Sequence, residues 1–411
     1  MHTPARPSAL LLLVRRSLQE HLLVSLVAVL SVAMAGSLFM SVRALQREAR
    51  LAAESGTAGF DGVLGARGSK LQLVLCALFH LEPAPGLIPA SDLDYIRAHP
   101  AVERAIPLVL GDNYRGYRFV GTTPEIFEPL PEGRGPSWAL APARRGEPAP
   151  RLFAVDRAEA VAGAVAARRL GLRIGDRLAA YHGLTYNPDL RHDEEFEVTG
   201  ILEPTGTPMD RVIFVPMRGL QTLAGHDPNL ASDLAAVLVA LKNPAAGFQL
   251  DLMYNRRGSR VTFAWPTAAL MVDLFDRFAW LERLLGLIAV LVAVSGTLTV
   301  MAVLHAGMAA RRSDLAILRS LGARRRTLAG LLLLEGAAIA GAGALAGLAL
   351  TAALSTATAA LLRQETGLLL EPLRPHADFI VVPLALLALG LLAALVPAWQ
   401  AYRTDAAVAP N

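Results

Sequence analysis

Apolar residues in this 411-residue chain fall into four long runs separated by polar stretches of very unequal length. The first, Leu22 to Val42, carries no charge, and neither does Leu284 to Leu304. The third, Leu328 to Leu362, carries a single acid, Glu335, and is longer than one crossing needs; the fourth runs from Phe379 to Val396. A helix needs about 20 apolar residues to cross a bilayer. Each run therefore predicts a transmembrane helix, over 22–42, 284–305, 327–362 and 379–397. Residues 1–21 mix leucines with Arg15, Arg16 and Gln19, the pattern of an amphipathic helix lying on the inner membrane face. Ala33-Met34-Ala35 has the look of a signal cleavage site, but the run continues past it through Leu38, Phe39 and Met40, so an uncleaved anchor is expected.

From Arg43 to Pro266 no stretch is apolar enough to span, and the pattern changes to short alternating segments with turn residues between them. Ser91 is placed to cap a helix that runs to Ala98 and stops before Pro100. Ala105–Leu110 and Tyr117–Gly121 flank the turn GDNYRG. Residues 157–170 predict a helix, GLRIGD a turn, and 177–181 a strand; Phe196–Leu202 and Val212–Val215 predict a second hairpin around EPTGTPMDR, and Ala235–Leu241 a further strand. The Pro- and Gly-rich stretch 131–150 is a loop. The block 43–266 is thus an α+β domain inserted between the first and second membrane helices.

Residues 267–283 space Leu270, Leu274, Phe278, Leu281 and Leu285 helically among charges, which predicts a stalk leading into the second span, with 43–54 as its counterpart leaving the first. Between spans two and three, the loop 306–326 carries Arg311, Arg312, Arg319, Arg324, Arg325 and Arg326 against one acid, Asp314. Arginine beside short loops marks the cytoplasmic side. Counting spans from there puts both termini, the tail 398–411 included, in the cytoplasm, and the large domain and the polar loop 363–378 outside it. Within the arginine loop, 309–323 is also helically ordered: Leu315, Ile317, Leu318 and Leu321 share a side and Gly322 is a stop. Topology alone explains arginines but not ordered leucines, so a helix that docks onto a soluble partner is expected.

Composition sharpens this picture. With 54% hydrophobic and only 18% charged residues, the chain is an α-helical integral membrane protein rather than a soluble one. The formal charge of +4 comes from arginines beside spans, so nucleic acid is not an expected partner. The lone Cys76 excludes an internal disulfide and reads as a buried apolar residue. No phosphate-cradling G-x-x-x-x-G-K-[ST] loop occurs, and neither does an H-E-x-x-H helix or a G-x-S-x-G elbow, so no catalytic residues and no cofactor are expected. His182, His192, Asp193, Glu194 and Glu195 gather in one segment, but that is where a solvated loop enters a strand, and no metal site is expected of them. Glu335 lies nine residues after Arg326, about 13 Å along a helix, so it is expected to face a neighbouring helix or headgroups rather than to couple an ion. Gly336, Gly343 and Gly347 are small enough for close helix packing, within the chain or between copies.

The segment RRSDLAILRSLGARRRTLAGLLLLEG, the ending VPAWQAYRTDAAVAP and the stretch FEVTGILEPTGTPMDRVIFVP together resemble the FtsX-like/MacB-like permeases of ABC transporters, which include the lipoprotein-releasing subunits. Asp314 stands where that family more often has Glu, and the tail lacks the family's proline and final leucine. The resemblance implies an FtsX-like permease domain over 284–405 and a coupling helix mapped onto Arg311, Arg312, Asp314, Leu315, Ile317, Leu318, Arg319 and Gly322. It implies as partners a cytoplasmic ABC ATPase, a second permease copy or paralogue and membrane lipid, with a periplasmic adaptor as a further candidate. It also implies residence in the inner membrane and transmission of motion from the ATPase to the outer domain. Export or extraction of a lipoprotein, peptide or hydrophobic compound is the function implied; activation of an extracytoplasmic cell-wall hydrolase is the alternative.

Overall fold

Four helices of the computed structural model are long and apolar enough to cross a membrane: Leu22–Glu48, Arg283–Ala309, Arg325–Leu361 and Asp378–Arg403. The structure describes residues 7–20, 22–224, 229, 232–256, 258–277, 279–310, 317, 320, 324–366 and 376–403. In chain order the elements are α1 (Pro7–Glu20), α2 (Leu22–Ser55), β1 (Gly62–Ala66), α3 (Lys70–Ala77), β2 (Ile88–Pro89), α4 (Ala90–Arg97), β3 (Val102–Tyr114) and β4 (Tyr117–Thr122). They continue with β5 (Glu159–Ala162), α5 (Ala164–Leu170), β6 (Arg177–His182), β7 (Arg191–Ile201), β8 (Ile213–Pro216), α6 (Met217–Gln221), β9 (Asp233–Leu234), β10 (Ala236–Leu241), α7 (Gly247–Tyr254) and β11 (Val261–Ala264). The last four are α8 (Thr267–Arg277), α9 (Ala279–Ala310), α10 (Arg325–Thr366) and α11 (Asp378–Arg403). Two compact units emerge: Met1–Glu48 with Phe278–Ala359 and Glu371–Asn411, and Ala49–Arg277 with Ala360–Leu370. The protein is thus an integral membrane protein with an α/β domain inserted between its first and second spans.

In the helical unit, small residues decide which helices meet. A Cβ on Gly343 would lie 2.6 Å from Val32 Cβ, and one on Gly347 would lie 3.0 Å from Ala33 O, so α10 packs against α2 almost backbone to backbone. On the other side a Cβ on Gly336 would lie 2.6 Å from Ala394 Cβ, and one on Gly390 would lie 2.3 Å from Ala340 Cβ, which seats α10 equally tightly on α11. Such close approach lets dispersion contacts hold helices together where lipid offers no hydrophobic driving force. Ala28, Val32 and Met40 of α2 then join Val300 and Leu304 of α9, Ile339 of α10, and Val382, Leu386 and Ala394 of α11 in one core. The opposite faces present Leu23, Leu291, Leu345, Leu384 and Leu395 outward, which is the correct arrangement for a lipid solvent. Trp280, Trp399 and Tyr402 are also exposed, close to helix ends, where amphipathic rings sit at headgroup level.

The second unit is built on a nine-stranded sheet ordered β11-β1-β10-β3-β4-β8-β5-β7-β6. An additional β3–β6 pairing closes its second half, β3-β4-β8-β5-β7-β6, into a barrel. The interior of that barrel is filled by Phe119, Ala160, Ala162, Leu178, Phe196, Val198, Ile213 and Val215. Strand β10 shows why its sequence AVLVAL does not alternate: Ala236, Leu238 and Ala240 enter one core, and Val237, Val239 and Leu241 enter another. A central strand covered on both faces reads as a continuous apolar run. Each valine and leucine among them contributes about 1.5–3 kcal/mol by leaving water.

Several local expectations are corrected. Residues 159–162 form strand β5 rather than the start of a helix; α5 begins only at Ala164. Pairing with β7 on one side and β8 on the other overrides the helical bias of this alanine-rich stretch. That insertion also means β7 and β8 are not a hairpin, because β5 lies between them. Ser91 sits inside α4, which starts straight out of the extended Ile88–Pro89 and has no side-chain cap. The strands flanking GDNYRG extend into it, leaving only Arg115 and Gly116 as the turn. Arg363–Thr366, expected in a loop, complete α10. The GLRIGD turn does behave as read: Gly171 adopts φ 69°, which glycine tolerates freely, and its N–H caps α5 through Ala167 O.

Candidate functional site

Most of the proposed coupling segment, namely Arg311, Arg312, Asp314, Leu315, Leu318, Arg319 and Gly322, lies outside the described residues. Ile317 is described: it is helical, its side chain is 56% exposed, and its carbonyl accepts a 2.7 Å bond from Ser320 Oγ. It is flanked by α9, which ends at Ala310, and α10, which begins at Arg325.

Glu335, the intramembrane acid, is half-buried and accepts a hydrogen bond from Ser17 Oγ of α1. Ser17 itself is buried, so α1 is held against α10 at this level. Five hydroxyls of the spans are turned back into their own helices, while Ser37 and Ser41 Oγ of the first span are buried without a hydrogen-bond partner among the described residues. Ser31 donates to Val27 O, Thr297 to Ala293 O, Thr299 to Ser295 O, Thr351 to Gly347 O and Thr356 to Ala352 O, all within 2.9 Å. Such back-bonding satisfies the hydroxyl locally, so these groups do not supply a polar lining for a water-filled path.

In the outer unit both chain connections toward the spans leave from neighbouring strands. β1 follows α2, β11 precedes α8, and the two pair antiparallel, with Val63 opposite Ala264. The junction is fastened by polar bonds: Thr267 Oγ1 donates to Phe60 O at 2.7 Å, and Thr267 N to Asp61 O at 3.0 Å. Asp61 Oδ2 accepts from Leu241 N at 2.7 Å and from Arg134 at 3.2 Å. Farther along, Arg50 of α2 and Asp276 of α8 form an ion pair at 2.9 Å. A cleft of about 670 Å³ opens at this junction, lined by Thr57, Asp61, Arg134, Thr205, Trp265 and Thr267.

Two buried polar groups, Cys76 and His80, face Arg118 of β4. Burial pushes the Cys76 thiol up to about 12 against the opposing pull of Arg118. Burial, seconded by the Arg118 charge, holds His80 down to about 3, and its Nε2 lies 3.3 Å from Met209 Sδ. Elsewhere, two 2.6 Å bonds from Arg151 hold the Glu159 carboxyl down to about 2. A thiol this basic is inert.

The five residues singled out between 182 and 195 divide. His182 and His192 come together with Asp112 of β3, a residue the sequence reading did not connect to them, while Glu194 instead accepts from Ala224 N at 3.2 Å. Asp112 lies 70 positions from His182 and 80 from His192, so only the β3–β6 pairing places them together, and no local signal announces it.

The model of the FtsX-like permease C-terminal family matches residues 286–406, and that of the MacB-like periplasmic core domain matches residues 22–250. The chain belongs to the FtsX/MacB-like family of ABC transporter permeases. The two matches fall on either side of α8 and leave the stems continuous with both. Among solved structures, the periplasmic region of MacB from Actinobacillus actinomycetemcomitans is 12% identical, covers 54% of this chain and 94% of its own, and gives a TM-score of 0.33. The extracellular domain of the noncanonic ABC-type transporter YknZ from Gram-positive bacteria is 13% identical, covers 49% of this chain and 97% of its own, with a TM-score of 0.30. No curated protein matches the chain.

Proposed function

We propose that this protein is the membrane subunit of an ABC transporter that converts ATP hydrolysis by a separate cytoplasmic ATPase into movement of its outer domain, and so exports or extracts a lipoprotein, peptide or hydrophobic compound. The observation that carries the reading is the pairing of an FtsX-like helical half with a MacB-like domain in one chain. The chemistry of the spans supports it. Ser31, Thr297, Thr299, Thr351 and Thr356 are bonded within their own helices, and Glu335 is bonded to Ser17, so in this reading these groups pass force through the unit rather than line a wet path for cargo.

In this account the ATPase docks on residues 309–323 in the cytoplasm, both termini lie on that side of the inner membrane, and two permease copies, or this chain and a paralogue, work as a pair. Closure of the ATPase shifts the docking helix. The shift travels through α10, which is packed tightly against α2 and α11, and along the stems. The stem helices reach the outer domain at two paired strands, so a change in their spacing acts directly on the sheet.

The test is to reconstitute the chain with its partner ATPase in lipid and to replace Leu315 and Leu318 with Glu. Loss of ATPase stimulation, with membrane insertion intact, is the expected result; unchanged stimulation would overturn the docking assignment. Whether the outer domain hands over cargo or activates a hydrolase is decided by what it holds. A captured periplasmic adaptor or cargo supports export; a captured cell-wall hydrolase would replace export with signalling.

A further inference from the structure

We propose that Asp112, His182 and His192 form a binding site for a divalent metal ion of the zinc class, at the seam where the barrel of the outer unit closes. The three residues come from three strands: Asp112 from β3, His182 from β6 and His192 from β7. Asp112 and His182 are directly opposed in the closing β3–β6 pair, and β7 lies next to β6. One donor atom from each falls within 4.8 Å of the other two.

The hydrogen bonds of His192 argue for a cation there. Its Nδ1 lies 2.8 Å from Ala224 O, and a carbonyl can only accept, so Nδ1 carries the proton. In neutral imidazole this leaves a lone pair on Nε2, which faces Asp112 Oδ1 at 3.3 Å. His182 Nδ1 approaches the same carboxylate oxygen at 3.2 Å. With both imidazoles neutral only the His182–Asp112 pair can be proton-bridged, and bridging both takes a second proton on His192, whereas one cation serves all three atoms. Metal-bound histidines characteristically donate their second N–H to a backbone carbonyl, which fixes the tautomer that ligates.

Distance and chemistry agree. Zinc bonds of about 2.0–2.2 Å put tetrahedral ligand atoms about 3.3–3.5 Å apart, close to the two separations from Asp112 Oδ1. Two imidazoles and a carboxylate without thiolate suit zinc or a neighbouring first-row ion rather than calcium or magnesium. Asp112 and His192 are almost fully buried and held by their strands, while the His182 side chain is 56% exposed. Two fixed ligands and one at the surface give an ion a way in and leave a coordination position open to solvent. Bound there, the ion would pin β3 to β6 and β7 and lock the barrel shut. None of this depends on the transport reading.

The experiment uses the full chain, free of affinity tag, stripped with chelator in detergent and titrated with zinc chloride and, separately, with cobalt chloride. The expected result is one ion per chain, visible cobalt absorption of four-coordinate type, and a higher unfolding temperature with zinc. His182→Ala changes a surface side chain and keeps the fold; it should weaken binding at least ~10-fold and remove the thermal gain. Asp112→Asn and His192→Ala should abolish the cobalt spectrum. A stripped chain that takes up neither ion, or His182→Ala and His192→Ala titrating like the parent, would overturn the site and leave Asp112 as a simple ion-pair partner.

Discussion

Arg50 Nη2 lies 2.9 Å from Asp276 Oδ1, so the helix leaving the first span and the helix leading to the second are joined by charge as well as by the strands they meet. Both side chains are about half exposed, and a pair of this kind contributes at most about 1 kcal/mol. In the proposed mechanism its consequence lies in keeping the stems in step. Arg50→Glu is expected to leave thermal unfolding almost unchanged while reducing transport per ATP hydrolysed, and Asp276→Arg added to it should recover coupling. Equal coupling in all three proteins would show that the pair does nothing beyond the surface.

Helix packing at Gly343 gives a second prediction. Since even a methyl group there would meet Val32 Cβ at 2.6 Å, Gly343→Ala should destabilise the helical unit by roughly 1–3 kcal/mol, the usual cost of overpacking. Gly307→Ala is the matched control, because no described atom lies within 4 Å of the added Cβ. Unfolding in mixed detergent micelles compares the two; similar midpoints would contradict the α2–α10 contact.

Acid stability of the outer unit follows from two groups with depressed values. His80 is held near 3 against a usual 6.5, so below about pH 6.5 the unfolded chain takes up a proton that the folded one refuses, and stability falls from there toward pH 3. Glu159 is held near 2 against a usual 4.5, so its contribution is complete above about pH 4.5 and disappears as the pH drops toward 2. With the half-exposed guanidinium of Arg151 taken into account, that contribution is on the order of 2 kcal/mol. Urea unfolding at a series of pH values should therefore show a decline in two overlapping stages. His80→Gln should flatten the upper stage and Arg151→Ala the lower one; a parent profile flat from pH 6.5 to 3 would contradict both assignments.

Sidedness is open to thiol labelling without first removing the native cysteine, because Cys76 is buried and its thiol is pushed up to about 12. Leu190→Cys should react with an impermeant maleimide from outside intact cells, and Arg325→Cys only after permeabilisation; both positions are exposed. The reverse pattern would invert the proposed topology.

The spans, the inserted domain and the family were legible in the sequence because each is written locally. An unbroken apolar run such as Leu284–Leu304 needs no partner to declare itself. The sheet was legible only in pieces, since its order rests on pairings between distant residues such as Gly62 and Val239. Residues 159–162 illustrate the cost: their alanines favour a helix, and only the neighbours β7 and β8 make them a strand. Gly343 and Gly347 announced close packing, but not that Val32 and Ala33 would be the surfaces met. Asp112 was invisible as a partner of His182 and His192, because barrel closure brings it there.

The most direct test of force transmission is a distance measurement between an environment-sensitive probe pair in the outer unit, with the permease reconstituted beside its ATPase. Labels at residue 190 and at residue 273 of α8 report movement of the barrel relative to its stem; both residues are exposed. The account predicts that adding ATP changes the separation in the parent chain and that Leu315→Glu with Leu318→Glu abolishes the change while ATP still binds. A separation unmoved by ATP in the parent, or equally moved in the double variant, would contradict it.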